Sequence, residues 1–286
     1  MRGLYKRMKK LILGVLIIIA LYVFVVWQNN SITISNFNYL SYDVPSKFND
    51  FKIVHISDLH NKMFGKEQSE ILEEIENLSP DIIIVTGDLI DRRRYNLDKA
   101  MDFINGAIEI APIYYVSGNH EAWSGKYSEI KDSLIEVGVN IIDDTKLEIR
   151  KENSTIYLLG LSDPSFLTSN YTDGTDISNM EEYLSNWSNI EDFKILLSHR
   201  PELFDLYSKN NMNLVFSGHA HGGQIKIPFV GGIIAPNQGF FPKYTSGSYN
   251  SDKTTMFVSR GLGNSLFPIR IFNPPEIISV TLKGYN

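Results

Sequence analysis

From residue 51 onward the chain repeats one pattern, a short apolar run followed by a polar cluster. Residues 51–56 lead into Ser57, Asp58, Leu59 and His60, and residues 81–85 lead into Thr86, Gly87 and Asp88. Residues 113–116 lead into Ser117, Gly118, Asn119 and His120. Residues 193–197 lead into Ser198 and His199, and residues 214–216 into Ser217, Gly218 and His219. Runs this short, rich in Ile and Val and bounded by Gly or Ser, read as buried strands. Helical stretches lie between several of them. Across 68–78, Ile71, Leu72, Ile75 and Leu78 fall on one helix face, and Pro80 closes the stretch. Residues 97–110 and 127–137 show similar spacing. Strand–helix alternation predicts an α/β fold with largely parallel strands, whose ligands gather at the carboxyl ends of the strands. All five polar clusters fall at such ends.

After Ala220 the pattern changes. Gly222, Gly223, Gly231, Gly232, Gly239, Gly247, Gly261 and Gly263 punctuate short β-like runs. This part is expected to return strands to a sheet and to lay loops over the site. Specificity loops are expected at about 163–180 and 226–250. Their aromatics, Phe166, Tyr171, Phe229, Phe240, Phe241 and Tyr244, are candidates either for acyl-chain contact or for core and lid packing.

Residues 11–27 carry no charge. As a helix these 17 residues reach roughly 26 Å, the short end of what crosses a bilayer. Arg2, Lys6, Arg7, Lys9 and Lys10 precede the run, which predicts a cytoplasmic N-terminus and a body on the other side. Gln28, Asn29 and Asn30 follow it, with no small-x-small site for cleavage, so the segment reads as an uncleaved anchor. The expected organisation is a cytoplasmic tip and transmembrane anchor over 1–30. A connector with an edge strand covers 31–48, and one catalytic domain covers 49–286.

Composition narrows the chemistry. The chain of 286 residues has no cysteine, which excludes disulfides and thiolate metal sites. Its net charge is −6. Without the five N-terminal cations, 22 basic residues face 33 acidic ones, a charge of −11. An acidic body is a poor general binder of nucleic acid, so no specific nucleic-acid partner is expected. Of six histidines, five (His60, His120, His199, His219 and His221) sit in the strand-end clusters beside Asp58, Asp88 and Asn119. The sixth, His55, lies mid-strand and reads as structural. Imidazole, carboxylate and amide oxygens together suit divalent Mn, Fe, Zn or Mg, and two close cations can activate a water against a phosphate ester.

Each cluster alone is a weak signal; the ordered series is a strong one. Asp58-Leu59-His60, Gly87-Asp88-Leu89-Ile90-Asp91-Arg92, Gly118-Asn119-His120-Glu121, Ser198-His199 and Gly218-His219-Ala220-His221 together resemble the calcineurin-like metallophosphoesterase superfamily. The stretch Ser259-Arg260-Gly261-Leu262-Gly263 and residues 268–276 are similar to its bacterial membrane-associated branch. The resemblance implies a four-layer αββα sandwich of two mixed sheets, an α/β fold with the metal site at the strand C-terminal ends. It implies two divalent metal ions, one held by Asp58, His60 and His221, the other by Asn119, His199 and His219, with Asp88 bridging. A water activated by both metals would attack phosphorus, and His120 would act as general acid. Asp91 would orient His120, and Arg92 would bind the phosphate.

The function expected is metal-dependent hydrolysis of a phosphomonoester or phosphodiester. The anchor points to a membrane lipid or a lipid-linked phosphate as substrate. Two other readings are an idle scaffold that binds a protein partner and a surface nuclease.

Overall fold

The computed structural model describes residues 2–168, 175–264 and 267–285; Tyr171 lies outside the described residues. Helix α1 (Arg2–Asn30) leads into β1 (Thr33–Ser41). Next come β2 (Lys52–Ile56), α2 (Ser69–Leu78), β3 (Ile82–Thr86), α3 (Leu97–Ile110) and β4 (Ile113–Val116). Then come α4 (Asn119–Ser124), α5 (Tyr127–Glu136) and β5 (Asn140–Ile141). The second half starts with the hairpin of β6 (Thr145–Lys151) and β7 (Ser154–Gly160). It continues through α6 (Ser178–Trp187), β8 (Lys194–Leu197), α7 (Phe204–Lys209) and β9 (Leu214–Ser217). Two small ribbons follow, β10 (Lys226–Ile227) with β11 (Gly231–Gly232), and β12 (Ile234–Ala235) with β13 (Gly239–Phe240). The chain closes with β14 (Gly247–Ser251), β15 (Thr254–Val258) and β16 (Glu276–Gly284).

The larger strands form two six-stranded mixed sheets, ordered β1-β16-β2-β3-β4-β5 and β14-β15-β9-β8-β7-β6. β2, β3 and β4 are parallel neighbours, as are β7, β8, β9 and β15. Strands apolar on both faces must be covered on both, and three buried layers do so here. Ile53, Ile84 and Val280 of the first sheet meet Leu158, Leu197 and Phe216 of the second in the central layer. The outer face of the first sheet packs on α2, α3 and α5 through Ile71, Phe103 and Leu134. The outer face of the second packs on α6 and α7 through Leu184 and Tyr207. The architecture is therefore the αββα sandwich expected. The glycine-rich last third does return strands, β14 and β15 to one sheet and β16 to the other.

Helix α1 is long and apolar enough to cross a membrane, and its apolar stretch lies almost wholly outside the body. Only its end is embedded. Gln28 and Asn29 are buried. Asn29 Oδ1 accepts the Arg270 N–H at 3.0 Å and the Asn264 amide at 2.9 Å, while Gln28 Oε1 accepts the Asn273 N–H at 3.2 Å. The Lys62 ammonium donates to the Asn29 carbonyl, a cation at the negative end of the helix dipole.

Candidate dinuclear metal site

Each polar cluster is a strand end that turns sharply. Asp58, His60, Asp88, His219 and His221 all have positive φ, between 47° and 64°. Asp and His tolerate this left-handed region better than most residues, and these three turns, with the strand ends at Asn119 and His199, bring five separate segments to one point. All the side chains involved are buried.

Two groups of ligand atoms result, Asp58, His60, Asp88 and His221 in one, and Asp88, His199 and His219 in the other. Asp88 belongs to both. Its Oδ2 stands 3.5 Å from His60 Nε2 and 3.4 Å from His199 Nε2. In the first group His60 Nε2 and His221 Nε2 are 3.2 Å apart, and His221 Nε2 lies 3.4 Å from Asp58 Oδ1. In the second, His199 Nε2 is 3.2 Å from His219 Nδ1 and 3.1 Å from Asn119 Oδ1. Nitrogens that share a cation at about 2.0–2.1 Å stand about 3 Å from each other, and these separations match. The residues present therefore fit two cations bridged by one carboxylate.

Hydrogen bonds behind these candidate ligands orient the atoms that face inward. His199 Nδ1 donates to the Thr86 carbonyl at 2.6 Å, which turns the Nε2 lone pair to the centre. His219 Nε2 stands 2.9 Å from Asn237 Oδ1 and 3.0 Å from Arg200 Nη1; in the tautomer that donates to the Asn237 oxygen, Nδ1 is free to face inward. Asp58 accepts the Ser57 hydroxyl at 2.7 Å and the His219 N–H at 3.0 Å. Glu121 accepts the N–H groups of Asp88 and Gly118 at 2.7 and 2.8 Å, which holds the Asp88 turn. Burial and the Asp88 charge push the Glu121 carboxyl up to about 7.

The electrostatics call for a cation. Burial opposes ionisation of Asp88, yet the His199, His120 and His60 imidazoles hold its carboxyl well below the usual range. Burial with His60 and Arg270 keeps His221 neutral; burial with Arg200 and His199 does the same for His219. His199 is the exception: against the cost of burial, the Asp88 and Asp58 carboxylates pull it up to about 10. Burial raises the Asp58 carboxyl, against the pull of His199, and the Asp88 and Asp58 carboxyls buried among these imidazoles make a centre suited to positive charge.

His120 lies beside the ligands, its ring 4.4 Å from that of His60. Its Nδ1 accepts the Arg92 backbone N–H at 3.2 Å, so Nε2 carries the proton in the neutral ring. Asp91 faces the same nitrogen as an ion-pair neighbour. Asp91 Oδ1 stands 3.7 Å from Nδ1, and its carboxylate also accepts from the Arg93 N–H and the Arg94 guanidinium. Burial, aided by His60, pushes His120 down to about 3, opposed by Asp88 and Asp91. The Arg92 guanidinium lies over the Trp123 ring, 5.0 Å from its centroid. Arg92, Trp123, Ser165 and Phe166 line a cleft of about 440 Å³.

Other expectations fall outside the ligand set. His55 is a core histidine, hydrogen-bonded to Thr86 Oγ1 at 2.8 Å and edge-on to Phe216. Tyr244 is packing, buried between Phe204 and Tyr249. Phe229, Phe240 and Phe241 are exposed.

Several supporting residues carried no motif. Arg200 is fully buried, with Nε and Nη2 on the two Asp163 oxygens at 2.6 and 2.8 Å. Its Nη1 donates to Asn237 Oδ1 at 2.7 Å, the same oxygen that holds His219. Asn273 Nδ2 donates to the His221 carbonyl at 2.7 Å. The one available signal was the position of Arg200, next to His199 in a strand-end cluster.

The chain is similar to several known proteins. The chain is 33% identical over 261 residues to YkuE of Bacillus subtilis, an uncharacterized metallophosphoesterase, covering 85% of this chain and 82% of that protein. It is 26% identical over 270 residues to the phosphodiesterase YaeI of Escherichia coli, covering 87% and 94%. Among solved structures, the sulfate thiohydrolase SoxB of Thermus thermophilus superposes with a TM-score of 0.52 at 13% identity, covering 85% of this chain and 58% of that one, a likeness of fold. The calcineurin-like phosphoesterase model matches residues 51–223, which include every residue of both groups. This chain belongs to the calcineurin-like phosphoesterase family, hydrolases of phosphoester bonds that use two divalent metal ions.

Proposed function

We propose that the protein hydrolyses phosphodiesters presented at a membrane surface, with His120 as the acid for the leaving oxygen. The supporting observation is the sharing of Asp88 Oδ2 between two groups of imidazoles with His120 alongside. Asp58, His60 and His221 would hold one cation and Asn119, His199 and His219 the other, with Asp88 common to both. Two such cations supply Lewis acidity and bring the pKa of a bound water near neutrality.

The remaining work falls to side chains. The Arg92 N–H fixes the His120 ring from behind. A phosphoester anion beside it supplies negative charge that offsets the burial which otherwise keeps it neutral. An alkoxide leaving group gains most from such an acid, which favours diesters, and the relative YaeI is named a phosphodiesterase. Arg92, at the cleft beside His120, is placed to meet phosphate oxygens. Asp91 adds charge over 3.7 Å.

In this reading residues 1–30 are the tether, 31–48 the connector and edge strand, and 49–286 the catalytic domain. The basic residues before the apolar stretch put the catalytic domain on the extracytoplasmic side. The test is turnover of the metal-loaded full chain on a chromogenic diester, a chromogenic monoester and a phospholipid in vesicles. Asp88→Ala should lose both metal and turnover. A chain that binds two metals and cleaves none of the three would refute the assignment.

A further inference from the structure

The loops beside the metal site carry exposed aromatics. Phe229 is fully exposed at the β10–β11 turn, Phe240 and Phe241 are 74% and 67% exposed at β13, and Phe267 and Phe272 are about half exposed. Phe229, Phe241 and Phe272 have positive φ, 67°, 53° and 51°. That conformation is uncommon for a bulky residue and carries strain. Strained turns here hold large apolar rings out into the surroundings, the reverse of what the hydrophobic effect favours in water.

These turns form one continuous surface that starts at α1. Phe24 of α1 packs on Phe272, with centroids 5.5 Å apart. Ile271 then accepts the Lys226 N–H at 3.0 Å, which lays β10 beside it. Ile233 donates to the Ile225 carbonyl at 3.0 Å and accepts the Phe241 N–H at 2.9 Å, which carries the surface on to β13. The aromatic turns therefore run outward from the place where the apolar helix leaves the body.

We infer that Phe229, Phe240, Phe241, Phe267 and Phe272 form an apolar collar that enters the interfacial zone of the membrane spanned by α1. The inference rests on α1 as a membrane span and is independent of the hydrolytic chemistry. The occupant follows from continuity, because the last apolar turns of α1 already touch the collar. Side chains of this kind settle roughly 5–10 Å into the headgroup and acyl boundary. The collar also governs where the site sits. Its turns grow from the metal-ligand loops: Asn237, between β12 and β13, holds His219, and Asn273, beside Phe272, holds the His221 carbonyl. Helix and collar together are two attachments that fix the mouth of the site against lipid headgroups, where a single helix would leave the body free to tilt.

The chain has no cysteine, so single labels can be placed cleanly. Phe229→Cys and Phe240→Cys carry an environment-sensitive fluorophore in the full chain, reconstituted into phosphatidylcholine–phosphatidylglycerol vesicles. Leu16→Cys marks the span. Asn153→Cys marks the β6–β7 turn, at the opposite end of the strands from the site. Phosphatidylcholine spin-labelled at carbon 5 of the acyl chain should quench the 229 and 240 labels about twofold, with blue-shifted emission, as expected for the depth of an interfacial side chain. Asn153 should remain water-like. Unquenched, water-like labels at 229 and 240 beside a quenched Leu16 label would overturn the collar. Blue-shifted labels that lipid does not quench would show a protein cover, such as a second copy, and would overturn it too. An unquenched Leu16 label would remove the span and the collar together, whatever the turnover of a soluble diester.

Discussion

Asn237 offers the sharpest test of the second ligand group, because it touches no candidate ligand atom directly. Its Oδ1 receives two donors, His219 Nε2 at 2.9 Å and Arg200 Nη1 at 2.7 Å. The first bond favours the His219 tautomer with Nδ1 facing inward, in competition with Arg200 Nη1, which stands 3.0 Å from the same Nε2. The second ties that oxygen to a guanidinium buried against Asp163. The suitable perturbation is Asn237→Gly, since the backbone here has φ 58° and glycine accepts that angle without strain. Arg200 keeps Asp163 and Ser165, so the buried cation stays paired and the fold is retained. What is lost is the orientation of one imidazole and one charge-assisted bond, about 1.5–3 kcal/mol. For residues that orient metal ligands, this corresponds to roughly 10–100-fold in metal affinity. Titration with Mn and Zn against a competing chelator should show one site weakened by that factor. The site of Asp58, His60 and His221 should be unchanged. Asn237→Asp keeps an acceptor oxygen and should restore binding. If N237G binds both ions as tightly as the parent, orientation of His219 through this loop has no energetic weight and the argument fails.

Three further outcomes follow from the same geometry. His120→Ala should retain both metals, because its backbone N–H rather than its side chain binds Asp88 Oδ1; turnover of diesters should fall about 10²–10⁴-fold, and unchanged turnover would remove His120 from the chemistry. Gly218→Ala should abolish tight binding in the first group, since the new Cβ would overlap Ser57 Oγ and stand 2.5 Å from Asp58 Oδ2; normal metal content would show that the turn can yield. Burial pushes His55 from 6.5 down to about 3, so the unfolded chain takes up a proton that the folded chain refuses. That stability is fully present above 6.5 and is lost as pH falls toward 3, by about 1.4 kcal/mol per pH unit. Urea unfolding at fixed metal should show a shallower acid loss for His55→Gln, and an identical slope would refute the assignment.

The candidate ligands were legible because the chemistry restricts residue type. Asp, His and Asn supply the oxygen and nitrogen donors in question, and a parallel sheet delivers them at strand ends, so the signal recurs at Asp58, Asp88, Asn119, His199 and His219. The helices over Ser69–Leu78 and Leu97–Ile110 were equally legible, because one face of each is apolar at helical spacing. The supports were not. Any residue with a carbonyl or amide can hold a histidine from behind, and Thr86 and Asn237 do so from a strand and from a loop without motif. The parallel pairing of β1 with β16 joins segments more than 230 residues apart, and nothing local in either strand names the other. At Asp91 a motif position meets local competition: its carboxylate lies 3.7 Å from His120 Nδ1 while it also accepts from Arg93 and Arg94, and the Arg92 N–H bonds that nitrogen.

The i, i+2 pair at His219 and His221 illustrates what a turn adds to a pattern. In an extended strand such residues share a face, and both rings would crowd one cation. Here both have positive φ, 64° and 47°, and the two imidazoles part: His219 joins His199 while His221 joins Asp58 and His60. Asp58 and His60, also left-handed and also two apart, stay in the same group. Equal spacing thus gives opposite outcomes, because the Asp58 turn is pinned by the His219 N–H on its carboxylate, while Asn237 draws His219 away from His221. The strain of these turns is held by the surrounding fold and becomes useful only when two cations need ligands from one short segment. Separation of the two positions therefore depends on the His219 turn, and a variant that relaxes it should merge two binding events into one.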